Sequence, residues 1–116
     1  MKRKDREYLS DILDSLNLIF EFTKGKTLAD LSNIAMFRDA VLMRFSIIGE
    51  AVKNLSPETK DKEKDTPWRE IAGLHDVVIH RYFGIDLERI WRFIQDDLPI
   101  LKSKIENLIV LGHDDK

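Results

Sequence analysis

Gly73-Leu74-His75-Asp76-Val77-Val78-Ile79-His80-Arg81-Tyr82-Phe83-Gly84 gathers two histidines, an acid, a base and a tyrosine into one apolar segment. Read as a helix, Leu74, Val77 and Val78 form a buried face, Ile79 and Phe83 widen it, and Gly84 ends it. Asp76 and His80 stand four positions apart, so a carboxylate lies one turn before an imidazole. Such a neighbour favours the protonated ring and can fix its orientation, as acid–base chemistry requires. Tyr82 follows His80 by two residues, roughly 200° round an ideal helix. The two can approach one ligand only if the helix frays near Arg81, which Gly84 makes feasible. Spacing alone leaves two readings open: a proton-transfer site, or a half-buried helix end with one satisfied histidine.

Working outward, helices flank this segment on both sides. Thr66-Pro67-Trp68 is a cap-and-proline signal that opens the motif helix, which should run to about Tyr82. Ser56-Pro57-Glu58 repeats the signal, and Lys60 to Asp65 reads as solvated charge with at most a short helix. Further back, a helix capped by Thr27 is expected from Leu28 to about Leu55. Its main apolar stripe is Leu31, Ile34/Ala35, Val41/Leu42, Phe45, Ile48 and Val52. A second stripe, Met36, Ala40, Met43 and Ile47, leads to Glu50. One small domain rarely buries both faces of a helix, so this stripe suggests a second copy; a central, surrounded helix is the alternative. From Asp5 to Thr23 the spacing predicts an amphipathic helix stopped at Lys24-Gly25-Lys26. Downstream, Asp86 can cap the last helix with Ile85 and Ile90 as a hydrophobic staple, and Pro99 should kink or split it. Residues 110–116 read as a frayed tail. No segment alternates apolar and polar residues, so the expected fold is all-α: one domain over residues 1–116, a four- to five-helix up-and-down bundle that dimerises.

A chain of 116 residues suits a single modest core, and 43% hydrophobic with 34% charged residues is ordinary for a soluble helical protein. The absence of cysteine excludes disulfides, thiolate metal sites and a cysteine nucleophile. No apolar run approaches the roughly 20 residues that span a bilayer, and no apolar core follows the charged amino terminus. A cytoplasmic location without membrane contact is the expectation. A net charge of −2 gives no global attraction to nucleic acid, so any RNA contact must come from a local basic patch.

The run Trp68-Arg69-Glu70-Ile71-Ala72-Gly73-Leu74, followed by Asp76, His80, Tyr82, Phe83 and Asp86, resembles the HepT-like branch of the HEPN ribonuclease family. That branch carries an arginine, four residues, a histidine, one residue and a tyrosine. The last two fall on His80 and Tyr82, and the arginine position falls on His75. Arg44-Phe45-Ser46-Ile47-Ile48-Gly49-Glu50-Ala51-Val52 resembles the family's second-helix segment, and Ile85 to Pro99 its last helix. The resemblance implies a toxin that cleaves RNA, with tRNA as the expected class, in a composite cleft where two motif helices meet across a homodimer. It also implies a cognate minimal (MNT-type) nucleotidyltransferase antitoxin that transfers AMP from ATP to Tyr82. No resident cofactor is implied, since the ATP is used by the partner enzyme.

The residues themselves favour metal-independent chemistry. His75 and His80 are five apart, about 140° round a helix, a poor spacing for one metal ion. In metal-independent cleavage the ribose 2′-hydroxyl attacks the neighbouring phosphorus, a histidine handles protons, and a cation stabilises the phosphate oxygens. His80 is the candidate for proton transfer. His75 stands where the resemblance expects a permanent cation; arginine can hold phosphate with two parallel hydrogen bonds, whereas histidine offers one and is mostly neutral near neutral pH unless its pKa is raised. Losing such an interaction typically costs about 10²- to 10³-fold in rate, so an attenuated nuclease is expected. His75 could instead act as a second acid or base. Glu50 is placed near the cleft by the resemblance; Asp76, Arg44, Arg69 and Arg81 are candidate supporting residues, or ordinary surface charges. Trp68 and Trp91 read as core. The rival function is a non-catalytic nucleotide- or protein-binding partner of the nucleotidyltransferase.

Overall fold

A computed structural model describes residues 1–114, and among them there is no strand. The elements are α1 (Arg3–Thr23), α2 (Leu28–Asn33), α3 (Ala35–Asn54), α4 (Pro57–Lys60), α5 (Trp68–Ala72), α6 (Leu74–His80), α7 (Leu87–Asp96) and α8 (Leu98–Asp114), with 3-10 turns at Asp61–Glu63 and Tyr82–Gly84. The fold is an all-helical bundle. α3 runs through its centre, packed by α1 on one side and by α5 and α6 on another, and α8 closes against α1.

Local chemistry accounts for most boundaries. Gly25, at φ 72°, takes the left-handed conformation that ends the turn after α1. Thr27 and Asp30 form a reciprocal capping box at α2, Ser56 caps α4 through the Thr59 N–H, and Asp86 caps α7 through the Arg89 N–H. Two long helices expected to be continuous prove to be pairs, and the last one splits in two as its proline suggested. The Leu28–Leu55 segment breaks at Ile34, which is extended (φ −107°, ψ 100°) and exposed; with the Asp30 carbonyl taking the Ile34 N–H, the capping-box turn is closed before α3 begins. The motif helix breaks at Gly73 and stops at His80 rather than Tyr82, because Arg81 (φ −130°) leaves the helical region. The last helix splits at Asp97, and Pro99 lands in the first turn of α8, where no amide hydrogen is needed. Thr66 does not cap α5: Pro67 occupies the cap position, and the buried Thr66 hydroxyl has no hydrogen-bond partner among the described residues. The expected frayed tail is helical as far as Asp114, and residues 115–116 lie outside the described residues.

The main stripe of α3 is the core. Val41, Leu42, Phe45, Ile48 and Val52 are buried in one cluster with Leu9, Ile12, Leu16 and Ile19 of α1, and with Leu101, Ile105 and Leu108 of α8. Trp68 is buried as expected, its indole N–H donating to the Lys60 and Glu63 carbonyls at 3.1 Å each. The second stripe is not surrounded: Met36 and Met43 are 85% and 54% exposed.

Asp5, buried at the start of α1, ties that helix to α4. It accepts from the Ser56 N–H (3.1 Å), the Ser56 hydroxyl (2.5 Å) and the Thr59 hydroxyl (2.7 Å). Burial pushes its pKa up, but these hydrogen bonds and the Lys2 charge outweigh it and leave the carboxyl below its ordinary 3.8. A depressed native pKa contributes stability that is full above pH 3.8 and is lost as pH falls through the lower native value. Asp5→Ala strands the Ser56 and Thr59 donors and is expected to cost about 1–3 kcal/mol at neutral pH. Urea unfolding should show the gap between wild type and variant narrowing as pH falls below 3.8; a pH-independent gap would mean that packing, not the carboxylate, supplies it.

Candidate active site at the α3–α6 crossing

α3 and α6 touch backbone to backbone. A Cβ at Gly49 would stand 2.5 Å from the His75 amide nitrogen and 3.1 Å and 3.2 Å from the Ile71 and Ala72 carbonyl oxygens. Those are main-chain atoms, which cannot rotate away. The approach sets His75 against a polar seam of α3.

The buried Ser46 hydroxyl lies 2.8 Å from His75 Nδ1, and Glu50 Oε2 lies 3.9 Å from His75 Nε2. If Ser46 donates, Nδ1 is the acceptor and the ring hydrogen sits on Nε2, facing the carboxylate. If the ring is doubly protonated, Nε2 again carries a hydrogen. The remaining tautomer would aim a lone pair at a carboxylate, so the surroundings assign the hydrogen to Nε2. Asn54 Nδ2 bonds the Glu50 carbonyl oxygen at 2.8 Å and reaches Oε1 at 3.4 Å, holding the acid.

Two turns earlier on the same face of α3, the Tyr82 hydroxyl donates a hydrogen bond to Asp39, and Phe83 stands edge-on to the Tyr82 ring at 5.2 Å. The tyrosine is half-buried, whereas Phe83 is fully exposed. Sequence reasoning misses Asp39, although a signal exists. Asp39, Ser46 and Glu50 are seven and four apart, two turns and one turn, along one face of α3.

His80 ends α6 and is exposed. Asp76 is exposed as well, and no hydrogen bond or ion pair joins it to His80, so the expected orienting contact is not made. Arg81 is exposed beside His80, and Arg44 on α3 is half-buried with no polar partner among the described residues. Thus His75 is joined to Ser46 and Glu50, and Tyr82 to Asp39, while His80 and Arg81 face solvent. Among the described residues, no three His, Asp or Glu side chains converge as a metal site would need, and no helix is long and apolar enough to cross a membrane.

The structure is thus a helical bundle with a histidine and a tyrosine at the end of a short helix, backed by a polar seam. The family described as Ribonuclease HepT-like matches residues 12–108. The chain belongs to that family. It is 43% identical over 105 residues to a Methanocaldococcus jannaschii protein named for a gamma-glutamylcyclotransferase and an RNase, covering 90% of this chain and 47% of that one. It therefore spans about half the length of that relative. It is 40% identical to a Thermococcus cleftensis protein named as a ribonuclease HepT, covering 93% of this chain and 98% of that one. A second M. jannaschii protein, named as an RNase, is 38% identical over 90% of this chain and 96% of its own length. Each of these names gives the nuclease activity provisionally. No solved structure matches.

Proposed function

We propose that the chain is an endoribonuclease that cleaves RNA, tRNA above all, by metal-independent transesterification with His80 as the proton-transfer residue. The observation that carries this reading is the end of α6: His80 is exposed, and the break at Arg81 turns Tyr82 back onto α3. The 2′-oxygen attacks phosphorus, its proton passes to a base, and the 5′-oxygen departs with a proton, leaving a cyclic phosphate. The relatives' names support the activity. At position 75, a ring already engaged by Ser46 and Glu50 stands where a guanidinium would meet phosphate, so the activity is attenuated. The same engagement favours the second reading, a non-catalytic nucleotide- or protein-binding partner of a nucleotidyltransferase.

The exposed Met36 and Met43 support a homodimer that brings two α6 ends together in one cleft. Sedimentation velocity of the wild-type chain at micromolar concentration should give a dimer; a monodisperse monomer removes the composite cleft.

In this reading the protein is the toxin of a pair, and an MNT-type nucleotidyltransferase silences it by transferring AMP from ATP to Tyr82. The phenolic oxygen attacks the α-phosphorus, pyrophosphate leaves, and Asp39 is placed to take the phenolic proton. The added phosphate repels substrate phosphate and fills the cleft. Co-expression with the cognate enzyme should add whole AMP units to a Tyr82 peptide, and Tyr82→Phe should block the addition. An unmodified Tyr82 beside an active partner, or equal labelling of the Phe variant, would leave Tyr82 with a structural role only.

A further inference from the structure

Behind the motif, on the side of α6 away from His75, a groove of about 610 Å³ runs between the α5–α6 pair and α7. That volume falls within the roughly 300–1,000 Å³ usual for ligand sites. Three arginines reach it from three different elements: Arg69 of α5, Arg81 at the end of α6 and Arg89 of α7. All three are exposed, and among the described residues none makes a hydrogen bond or ion pair through its guanidinium. Three other arginines are engaged: Arg3 and Arg92 lie 3.5 Å and 3.8 Å from Glu7 and Glu88, and Arg38 donates to the Ser32 carbonyl at 2.9 Å. Two carboxylates share the lining. They are Glu70 and Asp86, the latter accepting from the Arg89 N–H as the α7 cap at 3.2 Å, so three guanidinium charges face two carboxylates. The floor is apolar and includes Phe93.

We infer that this groove binds the phosphodiester backbone of single-stranded RNA next to the cleavage position, an inference that rests on the ribonuclease reading above. An unpaired guanidinium is a permanent, bidentate phosphate donor, and three converging on an apolar floor suit consecutive phosphates with sugar or base between them. Arg81 fixes the register. It is bonded in sequence to His80 and also lines the groove, so a strand held at His80 continues over Arg81 towards Arg69 and Arg89. This local patch supplies the attraction that the overall charge of −2 does not.

The test uses Arg69→Gln/Arg89→Gln, leaving Arg81 beside the motif intact; both residues are exposed, and an unchanged circular-dichroism melt confirms the fold. Binding is read by fluorescence anisotropy with a fluorescein-labelled single-stranded oligoribonucleotide, 2′-O-methylated so that it cannot be cleaved. The double variant should bind at least ten-fold more weakly. The slope of log affinity against log salt should shrink by about 1.4, since each phosphate left without its arginine lowers it by about 0.7. Equal affinity and slope in the two proteins overturns the groove while a cleaving wild type leaves the ribonuclease reading standing. A wild type that neither binds nor cleaves RNA overturns both. ATP binding that is lost in the double variant, with RNA affinity unchanged, overturns the RNA assignment in favour of a mononucleotide.

Discussion

His80→Ala should lower RNA cleavage by about 10²- to 10⁴-fold, the usual contribution of a positioned acid–base group. The side chain is exposed at the end of α6 and makes no polar contact within the described residues, so its removal strands no buried partner. The thermal midpoint should barely move, which separates a chemical defect from a folding defect. If His80→Ala cleaves as fast as wild type, the proton-transfer role passes elsewhere, and His75 becomes the first residue to try.

The second large effect runs the other way. His75→Arg should raise cleavage, or toxicity on expression, by at least an order of magnitude, towards the about 10²- to 10³-fold that a charged transition-state contact supplies. The structure adds a condition. Arginine at 75 ends the Ser46–His75 hydrogen bond and leaves a buried hydroxyl, which can turn to a carbonyl of its own helix. Glu50, facing position 75, can hold the guanidinium and direct it. His80→Ala on the arginine background should abolish the gain. An arginine variant no more active than a vigorous wild type would instead favour two histidines working as acid and base. A bell-shaped pH profile would then be expected.

What the sequence made legible was chemistry confined to a few neighbouring residues. Thr27, Ser56 and Asp86 announce their caps because the accepting oxygen and the donated N–H lie within one turn. The core stripe of α3 was readable for the same reason, since periodicity is a property of the segment itself. The breaks at Ile34 and Gly73 were not. Ile34 carries no glycine or proline signal and fits the apolar stripe, while an isolated glycine is tolerated inside a helical pattern. Thr66 looked like a cap, yet the burial of Trp68 on the Lys60 and Glu63 carbonyls sets how the chain enters α5. The site divided likewise. The motif positions stood out as residues, but their partners Ser46 and Asp39 lie 29 and 43 positions from His75 and Tyr82, and only the helix crossing brings them together.

That crossing has a consequence for how the site can change over time. Because Gly49 meets main-chain atoms, the spacing between Glu50 and position 75 is set by two backbones and does not depend on which side chain occupies 75. The chemistry at that position can therefore change between guanidinium and imidazole with the helix spacing kept, and the Ser46 hydroxyl is the group that must find a new acceptor. Position 49 has no such freedom: even one methyl group would wedge the two helices apart and move every pairing across them at once. The smallest residue in the site is thus the one the backbone can least spare.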